Sequence, residues 1–238
     1  MSALYLLRHG QAGTRNDYDK LSELGHRQAR LLGEFLAAQK VEFTALIRGA
    51  MRRQRETAQH TIDAYAHAGL PLPQMVTDER WNEFDLGHVY EEIAPRLCDS
   101  DQEFRIGYEE MMASYSDPNA SFHRNSTILD SKVVRAWISE QFPYNGESWI
   151  EFHSRVIAAL NDLRQYADLG HVAVFTSATP TAISVAHSMG VTDFRTARIA
   201  GLSYNSSIST LRIQPTDFTL FSFNSVPHLE DPALRSFR

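Results

Sequence analysis

A single cysteine, Cys98, stands among 238 residues, which excludes an internal disulfide framework and a zinc site built on several thiolates. One thiol suits a reducing compartment, and Cys98 reads as a small filler residue. No apolar run approaches the roughly 20 residues of a membrane span, and the stretch MSALYLLRHG holds too few apolar residues before its first arginine for a signal peptide. The expectation is a cytoplasmic protein without membrane contact. Positive charge is not in excess: 23 Lys and Arg against 29 Asp and Glu leave a net charge of −6, so nothing global favours a nucleic-acid partner. Any anion site must therefore be local. Internal repeats and low-complexity tracts are absent too, and 43% apolar residues suffice for one substantial core.

What is present is an alternation of short apolar runs with helical patterns. Ala3 to Leu7 is continuously apolar, as a buried strand would be, and stops at Arg8-His9-Gly10. Ser22 reads as the N-cap of a helix that places Ala29, Leu32 and Leu36 on one face and runs to about Gln39. Thr44 to Ile47 predicts a second strand, and Met51 to Ala68 a second helix that ends at Gly69. Gly146-Glu147-Ser148 opens a helix in which Phe152, Val156, Ala159, Leu160 and Leu163 recur at helical spacing. Val172 to Thr176 and Thr181 to Met189 repeat strand then helix, and Ser207–Ile213 and Phe218–Phe223 predict two strands joined by a Gln-Pro-Thr-Asp turn. Strand, loop and helix in repetition predict an α/β fold with parallel strands and helices on both faces. Residues 89–145 break the alternation with helical fragments and polar turns. They are expected to form an insertion, or cap, within a single domain spanning 1–238.

Ligands of open α/β sheets bind beyond the carboxyl ends of the strands. Those ends carry Arg8-His9-Gly10, Arg53 just inside the second helix, and the Ser177 segment. Arginine grips phosphate with a fork of donors, an imidazole nitrogen can accept a phosphoryl group, and glycine lets the backbone approach an anion. A phosphoryl-transfer pocket is the expectation. Arg48, Arg52 and Arg55 compete with Arg53, and Glu79 and Asp85 compete with Glu83, if residue type alone decides.

In order along the chain, LYLLRHGQA, LSELGHRQARLLG, RRQRETAQ, WNEFDLG, NGESWIEFHSRVIAAL and FNSVPHL resemble the histidine phosphatase superfamily, also called phosphoglycerate mutase-like. The resemblance covers about three quarters of the chain and leaves the 89–145 segment unmatched. It implies a three-layer sandwich with a mostly parallel central sheet. It further implies that His9 is the nucleophile, that Arg8 and Arg53 hold phosphate oxygens, and that Glu83 protonates the leaving oxygen and then activates water, with no metal or other cofactor. Gln11 stands where the family often has glutamate or glutamine and is expected to face the ligand. One position departs from the pattern. Aligning VAVFTSAT on the family's His-Gly strand puts Ser177 where a second histidine belongs, a neutral donor in place of a cation. His228, in FNSVPHL, is expected to make a structural hydrogen bond.

The leading expectation is a phosphohistidine-dependent phosphomonoesterase acting on a small phosphorylated metabolite, with activity reduced by the serine. The alternative is a non-catalytic phosphate-binding protein. Phosphoglycerate mutase activity is disfavoured, because the segment between Arg8-His9-Gly10 and Leu21-Ser22-Glu23-Leu24-Gly25 is much shorter than the mutase pattern. The expected partner is that small substrate or inorganic phosphate; the oligomeric state is left open.

Overall fold

The computed structural model describes residues 2–13, 17–113 and 122–237. They divide into two compact units, residues 1–83 with 154–238, and residues 84–153.

The first unit is built on a six-stranded sheet: β1 (Ala3–Arg8), β2 (Phe43–Arg48), β3 (Met75–Thr77), β4 (His171–Thr176), β5 (Ile208–Ile213) and β6 (Phe218–Ser225). The strand order is β3-β2-β4-β1-β5-β6. The first four of these are mutually parallel, whereas β5 runs antiparallel to β1 and β6 antiparallel to β5. The mostly parallel α/β sheet expected from the sequence is the one observed. Alternation along the central strands divides their side chains between two faces. Leu7, Ala173 and Phe175 join Leu32, Leu36 and Ala37 of α1 (Glu23–Ala38) and Ala58 and Tyr65 of α2 (Arg52–His67) in one core cluster. Leu4, Leu6, Val172 and Val174 point the other way and have no exposed surface. At roughly 1.5–3 kcal/mol for each fully buried aliphatic or aromatic side chain, these two layers hold the sheet in register.

Two of the expected helix starts have a physical cause. The Ser22 hydroxyl accepts the Gly25 N–H at 3.0 Å and caps α1. Further along, Ser148 and Glu151 exchange hydrogen bonds, the Ser148 N–H donating to Glu151 at 2.8 Å and the Glu151 N–H to the Ser148 hydroxyl at 3.2 Å. This capping box opens α6 (Trp149–Asp162). After β4 the chain turns into α7 (Ala178–Met189), which packs on β1, β5 and β6, and then α8 (Asp193–Gly201).

The second unit is more regular than its sequence suggests. It holds α3 (Leu86–Ser100), α4 (Gln102–Ala113) and α5 (Phe122–Ile138), which pack on one another. Val89, Ile93, Ala94, Leu97, Phe104, Leu129 and Val133 are all buried, and Phe84, Trp137, Trp149 and Phe152 form an aromatic cluster with ring centroids 4.5–6.0 Å apart.

Candidate active site

Arg8, His9 and Ser177 lie at the carboxyl ends of the adjacent parallel strands β1 and β4, and Arg53 of α2 reaches His9. His9 follows β1 directly and continues its ladder, the His9 N–H donating to the Thr176 carbonyl at 2.9 Å. Ser177 follows β4 in the same way. Gly10 is then required by contact. A Cβ there would collide with the Gly25 carbonyl, so the loop after His9 lies directly on the first turn of α1. The Gly10 N–H donates to the Thr57 hydroxyl of α2 at 3.1 Å, which draws α2 and its Arg53 to the same point.

The His9 ring is 4% exposed and its tautomer follows from its partners. Nδ1 lies 2.6 Å from the Gly10 carbonyl, which can only accept, so Nδ1 carries the proton. Nε2 is left with its lone pair, and the Arg53 Nε–H donates to it at 3.1 Å. Burial first, then the charges of Arg53 and Arg8, holds the ring well below the usual histidine range. At neutral pH it is a neutral imidazole with a lone pair on the nitrogen that faces Arg53, the form a nucleophile requires.

The helix decides among the arginines. Arg52 and Arg55 point outward, Arg52 pairing with Glu56 at 2.6 Å, while Arg53 is 4% exposed. Its guanidinium lies 5.3 Å from the Tyr18 ring centroid and donates from a terminal nitrogen to Asp19 at 2.8 Å. Asp19 accepts the Arg52 backbone N–H as well, at 2.9 Å, so one carboxylate engages both Arg53 and the start of α2. Arg8 is 7% exposed, and burial brings it down to about 10, so it stays charged at neutral pH. Its terminal nitrogens donate to the carbonyls of Ser203 and, at 3.2 Å, Phe237, while its Nε has no partner.

Glu83 sits at the end of a turn that begins with a short 3-10 helix (Glu79–Trp81). Its carboxylate accepts the Thr179 N–H at 3.0 Å and so caps α7, whereas its competitors Glu79 and Asp85 are exposed. The turn is tied down carbonyl by carbonyl. Arg155 of α6 donates to the carbonyls of Arg80 at 2.8 Å and Asn82 at 2.9 Å, and Thr176 donates to that of Trp81 at 2.7 Å.

Ser177 occupies the N-cap position of α7 with extended backbone, but its hydroxyl makes no capping bond. It accepts an N–H of Gln54 at 2.9 Å and has no exposed surface. Gln11 has a local partner too: its side-chain oxygen accepts the Ser22 hydroxyl at 2.8 Å, and its backbone N–H donates to Gln28 at 2.8 Å. His228 makes the structural bond expected of it, its Nε2 lying 2.8 Å from the Ser206 hydroxyl. Ser206 in turn donates its N–H to the His9 carbonyl at 3.0 Å from a left-handed backbone, φ 56°. Sequence reasoning missed Asp19, Tyr18 and Gln54. Gln54 alone left a trace, an amide on the inward face of α2 beside Arg53. Among the described residues, no three His, Cys, Asp or Glu side chains converge as a metal ligand set, and no helix is long and apolar enough to cross a membrane.

The site thus holds a buried imidazole with Arg53 against its Nε2 and the charge of Arg8 nearby. The profile of the histidine phosphatase superfamily (branch 1) matches residues 4–120 and 123–226, and the chain belongs to that superfamily. The match runs through most of the 89–145 segment and corrects the expectation that this segment lies outside the resemblance. Among curated proteins, the mitochondrial serine/threonine-protein phosphatase Pgam5 of Caenorhabditis elegans is 25% identical over 160 residues, 62% of this chain and 52% of that protein. Its counterpart in Caenorhabditis briggsae is 30% identical over 158 residues, 62% and 53% of the two chains. The chain thus spans about half the length of these relatives. Among solved structures, Bacillus stearothermophilus YhfR superposes with a TM-score of 0.65 at 18% identity, covering 97% of this chain and all of that one. A phosphoglycerate mutase from Bacillus anthracis gives 0.60 at 16% identity, covering 96% and 95%. At these identities the structural matches establish a shared fold.

Proposed function

We propose that the protein is a phosphomonoesterase that works through a phosphohistidine at His9 and acts on a small phosphorylated metabolite. The observation that carries this reading is the His9 tautomer. Nδ1–H is committed to a carbonyl and Nε2 is a lone pair beside a guanidinium, in a site dry enough to keep the ring neutral. In the proposed reaction Nε2 attacks phosphorus in line while the ester oxygen leaves, protonated by Glu83. Glu83 then takes a proton from the water that attacks the phosphohistidine, which returns free His9 and inorganic phosphate. Arg53 and Arg8 bear the charge that spreads over the phosphoryl oxygens, so a metal ion has no necessary part. Choice of substrate is assigned to the 89–145 segment, and the site of action to the cytoplasm.

A second reading, a phosphate-binding protein without turnover, draws on one observation. Ser177, which the sequence reading sets in place of the family's second histidine, accepts a hydrogen bond from Gln54 and offers an anion no positive charge. Phosphoryl trapping separates the two readings. Incubation with a labelled aryl phosphate and rapid quenching should leave an acid-labile, base-stable adduct that is absent from His9→Ala. A wild-type chain that binds phosphate yet never forms the adduct would establish the second reading. Chelation should leave turnover intact; loss with EDTA and recovery with a divalent ion would exclude the metal-free mechanism.

A further inference from the structure

Gln54 lies wholly inside the protein, next to Arg53 in sequence, and neither the proposed chemistry nor the core cluster uses it. Its amide nitrogen donates to the Trp81 carbonyl at 3.0 Å and to the Ser177 hydroxyl at 2.9 Å. A carbonyl only accepts, so the Trp81 contact fixes which end of the amide is which, and both of its hydrogens are spent. The amide oxygen has no partner. A buried acceptor left unpaired costs about 1–3 kcal/mol, and an apolar side chain of similar size would avoid that cost. What the amide secures is therefore geometric. From α2, the helix of Arg53, it reaches the turn that ends in Glu83 and the junction of β4 with α7, whose Thr179 N–H holds the Glu83 carboxylate.

We infer that Gln54 is a positioning residue for Glu83: it locks the Trp81–Glu83 turn and the start of α7 to the helix that carries Arg53, and so sets the acid at a constant distance from the phosphoryl group. The inference rests on the phosphomonoesterase reading and sharpens it. Its signature is the dependence of rate on the leaving group. Alkyl esters need a proton on the departing oxygen and aryl esters need little, so a displaced acid slows the first much more than the second.

The test compares kcat and KM for an alkyl and an aryl phosphate in wild type, Glu83→Gln, Gln54→Leu and Gln54→Glu. Leu keeps the bulk without the donors; Glu keeps the shape, with no donor when ionised and one when protonated. Both Gln54 variants should lower kcat on the alkyl ester about tenfold more than on the aryl ester, with KM little changed, as for a contact that matters in the transition state. Combining Gln54→Leu with Glu83→Gln should add nothing to the loss caused by Glu83→Gln alone. Equal losses on both esters, or a Gln54→Leu enzyme with the wild-type ratio, would overturn the inference. Thr176→Val removes the other side-chain donor to the Trp81 carbonyl and should show the same preference; it decides the matter if the Gln54 variants do not fold. If Glu83→Gln itself shows no preference between esters, or the wild type hydrolyses neither, the acid assignment falls and the role of Gln54 falls with it. If Glu83→Gln shows the preference and the Gln54 variants lack it, only the inference fails.

Discussion

Asp19 lies on the guanidinium that an incoming phosphate would use. Its carboxylate meets Arg53 at 2.8 Å and is half exposed, so water screens it and the pair contributes little to stability, about 0.2–1 kcal/mol. On the proposed reading, an arriving anion competes with that carboxylate for Arg53. Asp19→Asn should therefore tighten vanadate binding by up to about fivefold, the upper end of that energy, as read by calorimetry at low salt. Unchanged affinity would show that Asp19 and the anion use different donors of Arg53. Glu83 belongs to the same scale. Replacing its acid by an amide should cost about 10²- to 10⁴-fold in kcat on an alkyl phosphate and far less on an aryl phosphate. Steady-state rates on the two esters check this directly. Arg8, His9, Arg53 and Glu83 were expected at the site because each sits in a stretch that resembles the superfamily. Asp19 and Tyr18 were not, since their reach to Arg53 exists only once the loop after His9 folds back over α2.

At the scale of elements, α1 was predictable from its own residues: a serine cap, then apolar positions at helical spacing. The cap also contacts the loop after His9, since the Ser22 hydroxyl donates to Gln11 while accepting from Gly25. Ser22→Ala should cost about 1 kcal/mol in urea unfolding. A loss below a few tenths would mean that water replaces the cap. Helix α8 escaped the sequence because only Thr196 of its nine residues is buried, so no apolar stripe announces it. Strand β3 escaped because three residues at a sheet edge are too few to show alternation. In α3 to α5 the buried positions are real, but the polar residues between them hid the period. Ser177 occupies the N-cap position of α7, but its hydroxyl accepts from Gln54 and a carboxylate distant in sequence caps the helix instead.

Over the whole molecule, the buried histidines contribute to the response to acid. The unfolded chain binds a proton on His228 near 6.5, whereas burial brings the folded ring down to about 4. Below pH 6.5 the unfolded state therefore binds more protons, and stability that is complete above that pH is lost as pH falls toward about 4. The contribution of His228 over this range is about 3 kcal/mol. His9, held down by burial and by two arginines, acts in the same direction. The midpoint of thermal unfolding should be flat above neutrality and decline through this window. His228→Gln, which cannot take up a proton, should show a shallower decline; an identical slope would assign the acid sensitivity elsewhere.

The sequence by itself determined the order of strand and helix around β1, β2 and β4, and the end of the sheet at which chemistry collects, because burial patterns and caps are local. His9 was singled out, as the proposed nucleophile, by the resemblance of its Arg8-His9-Gly10 stretch to the superfamily. Only the tertiary structure decided which arginine of α2 turns inward, which nitrogen of His9 keeps its lone pair, and what holds Glu83. Each of those depends on a partner far along the chain: Gly10 against Gly25 and Thr57, Asp19 against Arg53, Gln54 against Trp81 and Ser177. A hydrogen bond of about 3 Å is set by where two backbones have already been placed, and that placement is the work of the packed core, not of any one stretch of sequence.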